Sequence, residues 1–261
     1  MLGMSKGKVY FVGAGPGDPE LITLKGKKIL EEADVVIYTG SLLNPEVFKY
    51  VKKGAKLLDS SKMSLEEIVQ ALAEAAREGK TVVRLHDGDP SLYSALKEQM
   101  DLLDEMGVEY EVIPGLSSFQ AAAASLKLEL TLPGVSQTVI ITRPGGRTPV
   151  TEADDLTKLA EHKATMIIFL GVHMMRKVVE RLRLGGYSED TPIAVVYKAS
   201  WPEQKIIRGT LRDIAEKVEA EGVKSTAIII VGEVLEPKSY NRSKLYDASF
   251  THAFRRGKAD V

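Results

Sequence analysis

The 261-residue sequence contains no cysteine. That excludes disulfides, thiolate nucleophiles and thiolate metal sites together, and it fits a cytoplasmic location. It also lacks any run approaching the roughly 18–20 apolar residues of a membrane span, so no membrane partner is expected. The opening "MLGMSKGKVYFVG" has no apolar segment with a cleavage site, and no secretory signal is read there. Charge of one sign is missing too. A formal net charge of −1 at pH 7 argues against a dedicated nucleic-acid binder, which carries a clear basic excess. It still allows a local basic pocket for a small acidic substrate. There is no internal repeat and no low-complexity segment.

What is present is an alternation of strand and helix patterns from end to end. With 44% hydrophobic and 27% charged residues, the chain has the composition of a globular protein with a sizeable core. "KVYFVG", "DVVIYT", "KTVVRLH" and "EYEVIPG" read as strands buried on both faces. The segments between them read as helices, among them "LKGKKILEEA" with Thr23 as N-cap, and "SLEEIVQALAEAAREG". In the latter, Ser64 and Glu67 are spaced as a capping box and Gly79 closes the helix. Continuous apolar strands separated by helices indicate a mostly parallel sheet covered on both sides.

After the Ala-rich "SSFQAAAASL" and a Pro-Gly loop, a second series begins: "QTVIITR", a helix from about Glu152, "ATMIIFLG", a helix ending at "LGGY", "PIAVVYKAS", "KIIRG", "LRDIAEKVEAEG" and "TAIIIVGEV". A strand running straight into a helix at "KIIRGTL" suggests a mixed sheet. The expectation is two α/β domains, residues 1–116 and 117–240, followed by an extended tail over 241–261. The tail pair Arg255-Arg256 is expected to be solvated charge, and Met174-Met175 to be core.

Three loops follow strands of the first series. "GAGPGD" (residues 13–18) sits where a dinucleotide-binding loop would, but Asp18 occupies the position that needs a small residue and would repel a pyrophosphate. A phosphate-binding P-loop fails because no Gly-Lys-Ser/Thr follows. Turn chemistry explains Asp18 and Pro19. The glycines around Pro16 suggest bare backbone close to a ligand. "HDGDPSLY" (residues 86–93) places Asp87 and Asp89 around a glycine and leads into a helix read as "SLYSALKEQMDLLDEM". A metal would need further ligands, and only four histidines exist, so no metal site is assigned. Two readings stand side by side: a carboxylate-lined turn for a ligand carrying cationic charge and ribose hydroxyls, or Asp89 as a simple helix cap. "TGSLLNPE" (residues 39–46) lies on the same edge, since ligands gather at the carboxyl ends of parallel strands. In "TRPGGRTPV", Arg143 and Arg147 lie on a glycine-rich loop where guanidiniums can grip carboxylates, although plain surface charge explains them equally.

Taken together, "VYFVGAGPGDPELITLKGKKILEEADVVIY", "GDPSLY", "VIPGLSSFQAAAA" and "TAIIIVGEV" resemble the tetrapyrrole (corrin/porphyrin) methyltransferase family, in that order and over about residues 8–235. "YTGSLLNPE", "ELTLPGVSQTVIITRPGGRTP" and "SKLYDASFTHAFR" look most like its branch acting on carbon 11 of precorrin-4. The resemblance implies two α/β domains, a homodimer and S-adenosylmethionine as cofactor, bound in the cleft between the domains. It implies cofactor contacts from Pro16, Asp87, Gly88, Asp89, Leu92, Tyr93, Ser117, Ser118, Leu170, Ala199, Thr226 and Ala227. The substrate would be a small tetrapyrrole, precorrin-4 or its cobalt complex, rich in carboxylates. Lys62, Arg143 and Arg147 are the candidates to orient it, ahead of Lys198 and Arg208. No residue is assigned as a base. The uroporphyrinogen branch carries an aspartate where this chain has Thr39. The alternatives are methylation of precorrin-2 or precorrin-3B, a non-catalytic nucleotide- or tetrapyrrole-binding protein, and an NAD-dependent oxidoreductase, which Asp18 and Thr39 disfavour.

Overall fold

The structure is a computed structural model that describes residues 7–258. The first six and last three residues of the expected first domain and tail lie outside that range. The chain divides into two compact units, Met1–Ser125 with Lys198–Gln204, and Leu126–Tyr197 with Lys205–Val261.

Unit 1 is built on strands β1 (Val9–Gly13), β2 (Val35–Tyr38), β3 (Lys56–Asp59), β4 (Val82–His86) and β5 (Tyr110–Ile113), in the order β3-β2-β4-β1-β5. All four pairings are parallel. β1 and β4 are buried at every residue, which is why their sequences are continuously apolar rather than alternating. Helix α1 (Leu24–Glu32) starts on the Thr23 hydroxyl, which accepts from Gly26 N at 3.1 Å. Its Ile29 and Leu30 pack with Tyr10, Val12, Val36, Val83 and Leu85. Helices α2 (Leu65–Arg77) and α3 (Leu96–Glu105) cover the other face, where Ile68, Leu72 and Leu103 meet Val9, Phe11, Val35, Ile37 and Val82. The capping box of α2 is formed on both sides: Ser64 N donates to Glu67 and Glu67 N donates to Ser64 Oγ.

The strand order has a functional consequence. The chain leaves β1 toward β2 over the α1 face and leaves β4 toward β5 over the α3 face. Adjacent strands whose connections diverge to opposite faces define the switch point at which open α/β sheets bind ligands. That point lies between β1 and β4.

Two elements depart from expectation. β3 is an additional strand: four residues at a sheet edge, three of them exposed, with too little apolar pattern to stand out. α3 begins only at Leu96, not at Ser91. Tyr93 (φ 56°) and Ala95 (φ 54°) adopt left-handed backbone, which no L-residue helix can contain, so residues 90–95 form a bent segment instead.

Unit 2 carries a mixed sheet, as its sequence suggests, of β6 (Val139–Thr142), β7 (Thr165–Ile168), β8 (Pro192–Tyr197), β9 (Lys205–Thr210) and β10 (Ala227–Val231), in the order β6-β7-β10-β8-β9. Only β6 and β7 run parallel. Helices α5 (Leu156–Ala160), α6 (Met175–Leu184) and α7 (Ile214–Ala220) pack on it, and Met175 is core. The helix expected from about Glu152 starts at Leu156, where the Asp155 side chain caps it by accepting from Thr157 N. The closing segment folds back on itself. Arg255 donates to the carbonyls of Leu245, Asp247 and Phe250, so this guanidinium organises a local loop and is not merely solvated.

Candidate functional site

The loops after β1, β2, β4 and β5 converge at the carboxyl end of the unit 1 sheet. Gly15 and Gly88 exchange backbone hydrogen bonds of 3.2 and 2.8 Å across the switch point. Gly13, Gly88 and Gly115 meet so tightly that a Cβ on Gly115 would lie 2.1 Å from the Gly88 carbonyl oxygen, and one on Gly13 2.6 Å from it. The β2 loop joins through Asn44, whose Nδ2 donates to the Gly17 carbonyl at 2.9 Å, and through Thr39.

The segment Lys198–Gln204 closes the glycine loop within the same unit. Trp201 Nε1 donates to the Pro16 carbonyl at 3.0 Å, and Asp18 N donates to Ser200 Oγ at 3.0 Å. A Cβ on Gly17 would stand 2.0 Å from the indole. The glycines around Pro16 are therefore accounted for by protein against protein: Gly13 by the crossing loops, Gly15 by its φ of +83°, Gly17 by Trp201. Asp18 and Pro19 form the turn that their types suggest, with Asp18 accepting from Glu20 N at 2.9 Å.

The two aspartates of the β4 loop differ in their surroundings. Asp89 is consumed by structure. One oxygen accepts from Gly115 N at 2.8 Å and the other from the backbone and hydroxyl of Ser91. Burial pushes its carboxyl up, but these hydrogen bonds outweigh burial and hold it below the usual range. Asp87 is half-buried and receives one side-chain bond, from Thr39 Oγ1 at 3.1 Å. Burial raises its pKa, against the Thr39 bond and the charge of Arg84. Among the described residues neither aspartate forms an ion pair, and no cluster of three His, Cys, Asp or Glu residues could hold a metal ion.

Beneath the loop, Arg84 and His86 are buried. Arg84 donates to Gln99, Ser60 and the Ile37 carbonyl, and burial lowers its pKa to about 10. His86 is 1% exposed, and neither ring nitrogen meets a hydrogen-bond partner among the described residues. Burial, with the Arg84 charge, pushes its pKa down to about 3.

The remaining sequence candidates fall into place within their own units. Ser117 is buried and Ser118 opens helix α4 (Ser118–Leu126). The Cα of Ser117 and the backbone N of Ser118 would each lie 3.8 Å from a Cβ on Gly88. Leu92 and Tyr93 lie on the bent segment, and Ala199 is buried beside Ser200. Lys62 is exposed after β3, in the turn against the Thr39 loop. In unit 2, the β7–β10 register, Ile168 opposite Ile229, brings Leu170 and Thr226-Ala227 to one end of the sheet, the end from which the Arg143 loop leaves β6. Leu170 (φ 54°) and Thr226 (φ 53°) share the left-handed backbone of Tyr93. Strain of this kind in bulky residues collects at ligand sites. Arg143 is engaged by its own loop, donating to the carbonyls of Pro144, Thr148 and Pro149. Arg147 is exposed on that loop. Arg143→Ala should therefore loosen residues 144–149, readable as faster amide exchange there, while the rest of unit 2 stays protected. Unchanged exchange would contradict the bracing role.

Trp201 and Asn44 went unnoticed at the level of sequence. Trp201 is the chain's one tryptophan, a signal in itself. Asn44 gives none beyond preceding a proline.

Residues 8–215 match the family model of the Tetrapyrrole (Corrin/Porphyrin) Methylases, and the chain belongs to this family. It is 62% identical over 249 residues to a protein of Methanocaldococcus jannaschii named cobalt-precorrin-4 C(11)-methyltransferase, covering 95% of this chain and 96% of the relative. Among solved structures, it resembles the cobalamin biosynthetic enzyme cobalt precorrin-4 methyltransferase (TM-score 0.86, 48% identity, 88% of this chain and 97% of the other). It also resembles uroporphyrin-III C-methyl transferase from Thermus thermophilus complexed with S-adenyl homocysteine (TM-score 0.75, 32% identity, 90% and 96% coverage).

Proposed function

We propose that this chain is an S-adenosylmethionine-dependent C-methyltransferase of cobalamin biosynthesis, converting precorrin-4 or its cobalt complex to the C11-methylated product. The observation that carries the reading is the 62% identity, over nearly the full length, to a relative of that name. The switch-point crevice supports the cofactor. It offers backbone at Gly88 with φ +61°, where only a glycine lets a ligand approach closely. A pyrophosphate would meet carboxylates there.

Within unit 1 the cofactor residues are Pro16, the Asp87-Gly88-Asp89 turn, Leu92, Tyr93, Ser117, Ser118 and Ala199; within unit 2 the candidates are Leu170, Thr226 and Ala227. Bound there, S-adenosylmethionine supplies an electrophilic methyl group, and alignment of the reactants is the protein's main contribution. Asp89 fixes the β4 loop to the β5 loop and so sets the shape of the cradle. Lys62 and Arg147 orient the carboxylates of the substrate, and Arg143 shapes the loop that presents Arg147. The enzyme works as a cytoplasmic homodimer.

Calorimetric titration with S-adenosylhomocysteine, NAD as control, tests the class: binding of the former alone is expected. Turnover of precorrin-4 against precorrin-2 and precorrin-3B then tests the substrate. Binding of NAD alone, or preference for another precorrin, would overturn the corresponding part of the reading.

A further inference from the structure

We propose that Asp87 is the proton acceptor of the methyl transfer, with the Thr39 hydroxyl fixing one carboxylate oxygen and leaving the other to the substrate. The inference rests on the methyltransferase reading and goes beyond it. In that reading the 87–89 turn lines the cofactor; here its backbone does so while the Asp87 side chain handles a proton.

The argument starts from the contrast within "DGD". Both oxygens of Asp89 are engaged by Gly115 and Ser91, so Asp89 holds architecture. Asp87 is bonded through Oδ1 alone. Thr39 both donates to that oxygen and accepts from Asp87 N at 3.3 Å, which locks the carboxylate at the mouth of the switch point. Two nearby carboxyls with opposite environments, one raised by burial and one held down by hydrogen bonds, are the usual arrangement when one serves as acid or base.

The chemistry requires such a group. The substrate carbon gives its electron pair to the new C–C bond, while the pair of the breaking S–CH3 bond stays on sulfur as a neutral thioether. The macrocycle is left with one additional positive charge, which it loses as a proton to Asp87. The titratable groups around Asp87 are Arg84 and His86 on its own strand and Asp89 on its loop. Asp59 and Lys62 lie beside the loop that carries Thr39, where Asp59 Oδ1 would stand 3.0 Å from a Cβ on Gly40. Asp18 lies at the end of the glycine loop. Arg84 favours the ionised carboxylate, and His86 is neutral above its lowered pKa of about 3.

The test is single-turnover methylation of precorrin-4 at saturating cofactor across pH, alongside S-adenosylhomocysteine calorimetry, for wild type, Asp87→Asn and Thr39→Val. Asp87→Asn is expected to bind S-adenosylhomocysteine within about threefold of wild type and to lose about 100-fold or more in rate, the usual worth of a positioned base. The wild-type rate should fall as pH drops through the Asp87 titration, a limb that Asp87→Asn lacks. Thr39→Val keeps the carboxylate but removes the bond that favours its ionised form, so the limb should move to higher pH. This variant decides the matter if Asp87→Asn fails to fold. A rate within threefold of wild type in Asp87→Asn, or an unmoved limb in Thr39→Val, would overturn the proposal. Lost S-adenosylhomocysteine affinity with the saturated rate retained would also overturn it and make the Asp87 side chain a cofactor ligand. If wild type itself does not bind S-adenosylhomocysteine, the methyltransferase reading falls and takes this inference with it.

Discussion

His86→Leu should make the protein more stable at neutral pH and should flatten its loss of stability in acid. The first effect follows from two buried ring nitrogens without partners among the described residues. Leaving a buried polar group unsatisfied costs about 1–3 kcal/mol, and an apolar side chain of similar size removes that cost. The second follows from linkage. The imidazole titrates near its ordinary 6.5 in the unfolded chain and at about 3 in the folded one. A depressed folded pKa means that the stability is fully present above pH 6.5 and drains away as pH falls toward 3. Between those limits the unfolded state binds one more proton, worth about 1.4 kcal/mol per pH unit. Other groups, including Asp89, add their own acid dependence, so the quantity to measure is the difference between wild type and variant. Urea unfolding at several pH values should show the gap widening in favour of the variant as the solution is acidified. A constant gap would mean that His86 is not held neutral.

The second large effect is expected at Gly115. Its missing side chain is where the β4 and β5 loops pass, and a Cβ would lie 2.1 Å from the Gly88 carbonyl oxygen, with Gly13 Cα at 2.9 Å. These neighbours are backbone held by hydrogen bonds and cannot turn aside as a side-chain end would. Gly115→Ala should cost about 3 kcal/mol or more, at or beyond the upper end of ordinary overpacking. It should also break the Gly115 N to Asp89 bond and weaken S-adenosylhomocysteine binding by more than tenfold. Gly107→Ala is the matched control. Unlike Gly115 it has positive φ (+65°), and nothing lies within 4 Å of its Cβ position. Only the left-handed penalty of about 1–2 kcal/mol applies there, and cofactor binding should be intact. A loss at Gly115 no larger than that at Gly107 would show that the crossing of the loops does not make the Gly115 position special.

The sequence made the parallel first sheet and the mixed second sheet legible because buried strands need continuous apolar runs, and those runs are long and well separated. β3 escaped because an edge strand faces solvent, and "KLLD" between alanine and serine carries little pattern. The late start of α3 escaped for a different reason. "SLYSAL" has good helical composition, and only the left-handed Tyr93 and Ala95 keep it from winding, a conformation imposed by surroundings and not by residue type. In the site, the loops were recognisable from their glycines and prolines, but what each glycine accommodates was not. Gly17 makes room for Trp201, nearly two hundred residues away in sequence, and no local rule contains that information. The same holds for Asp87 and Asp89. They look equivalent as letters, and only their distinct partners, Thr39 on one side and Gly115 with Ser91 on the other, separate a reactive carboxylate from a structural one.

Unit 1 is made from two separated stretches of chain, Met1–Ser125 and Lys198–Gln204. During synthesis the glycine loop leaves the ribosome long before its cover exists: the Trp201 bond to Pro16 spans 185 residues and the Ser200 bond to Asp18 spans 182. A nascent chain released after about 125 residues can pair all five strands of the first sheet and still lack the indole that rests on Gly17. The last step in assembling the glycine loop thus waits until Ser200 and Trp201 have been made. A chain cut short before then carries a nearly complete sheet with an unfinished site.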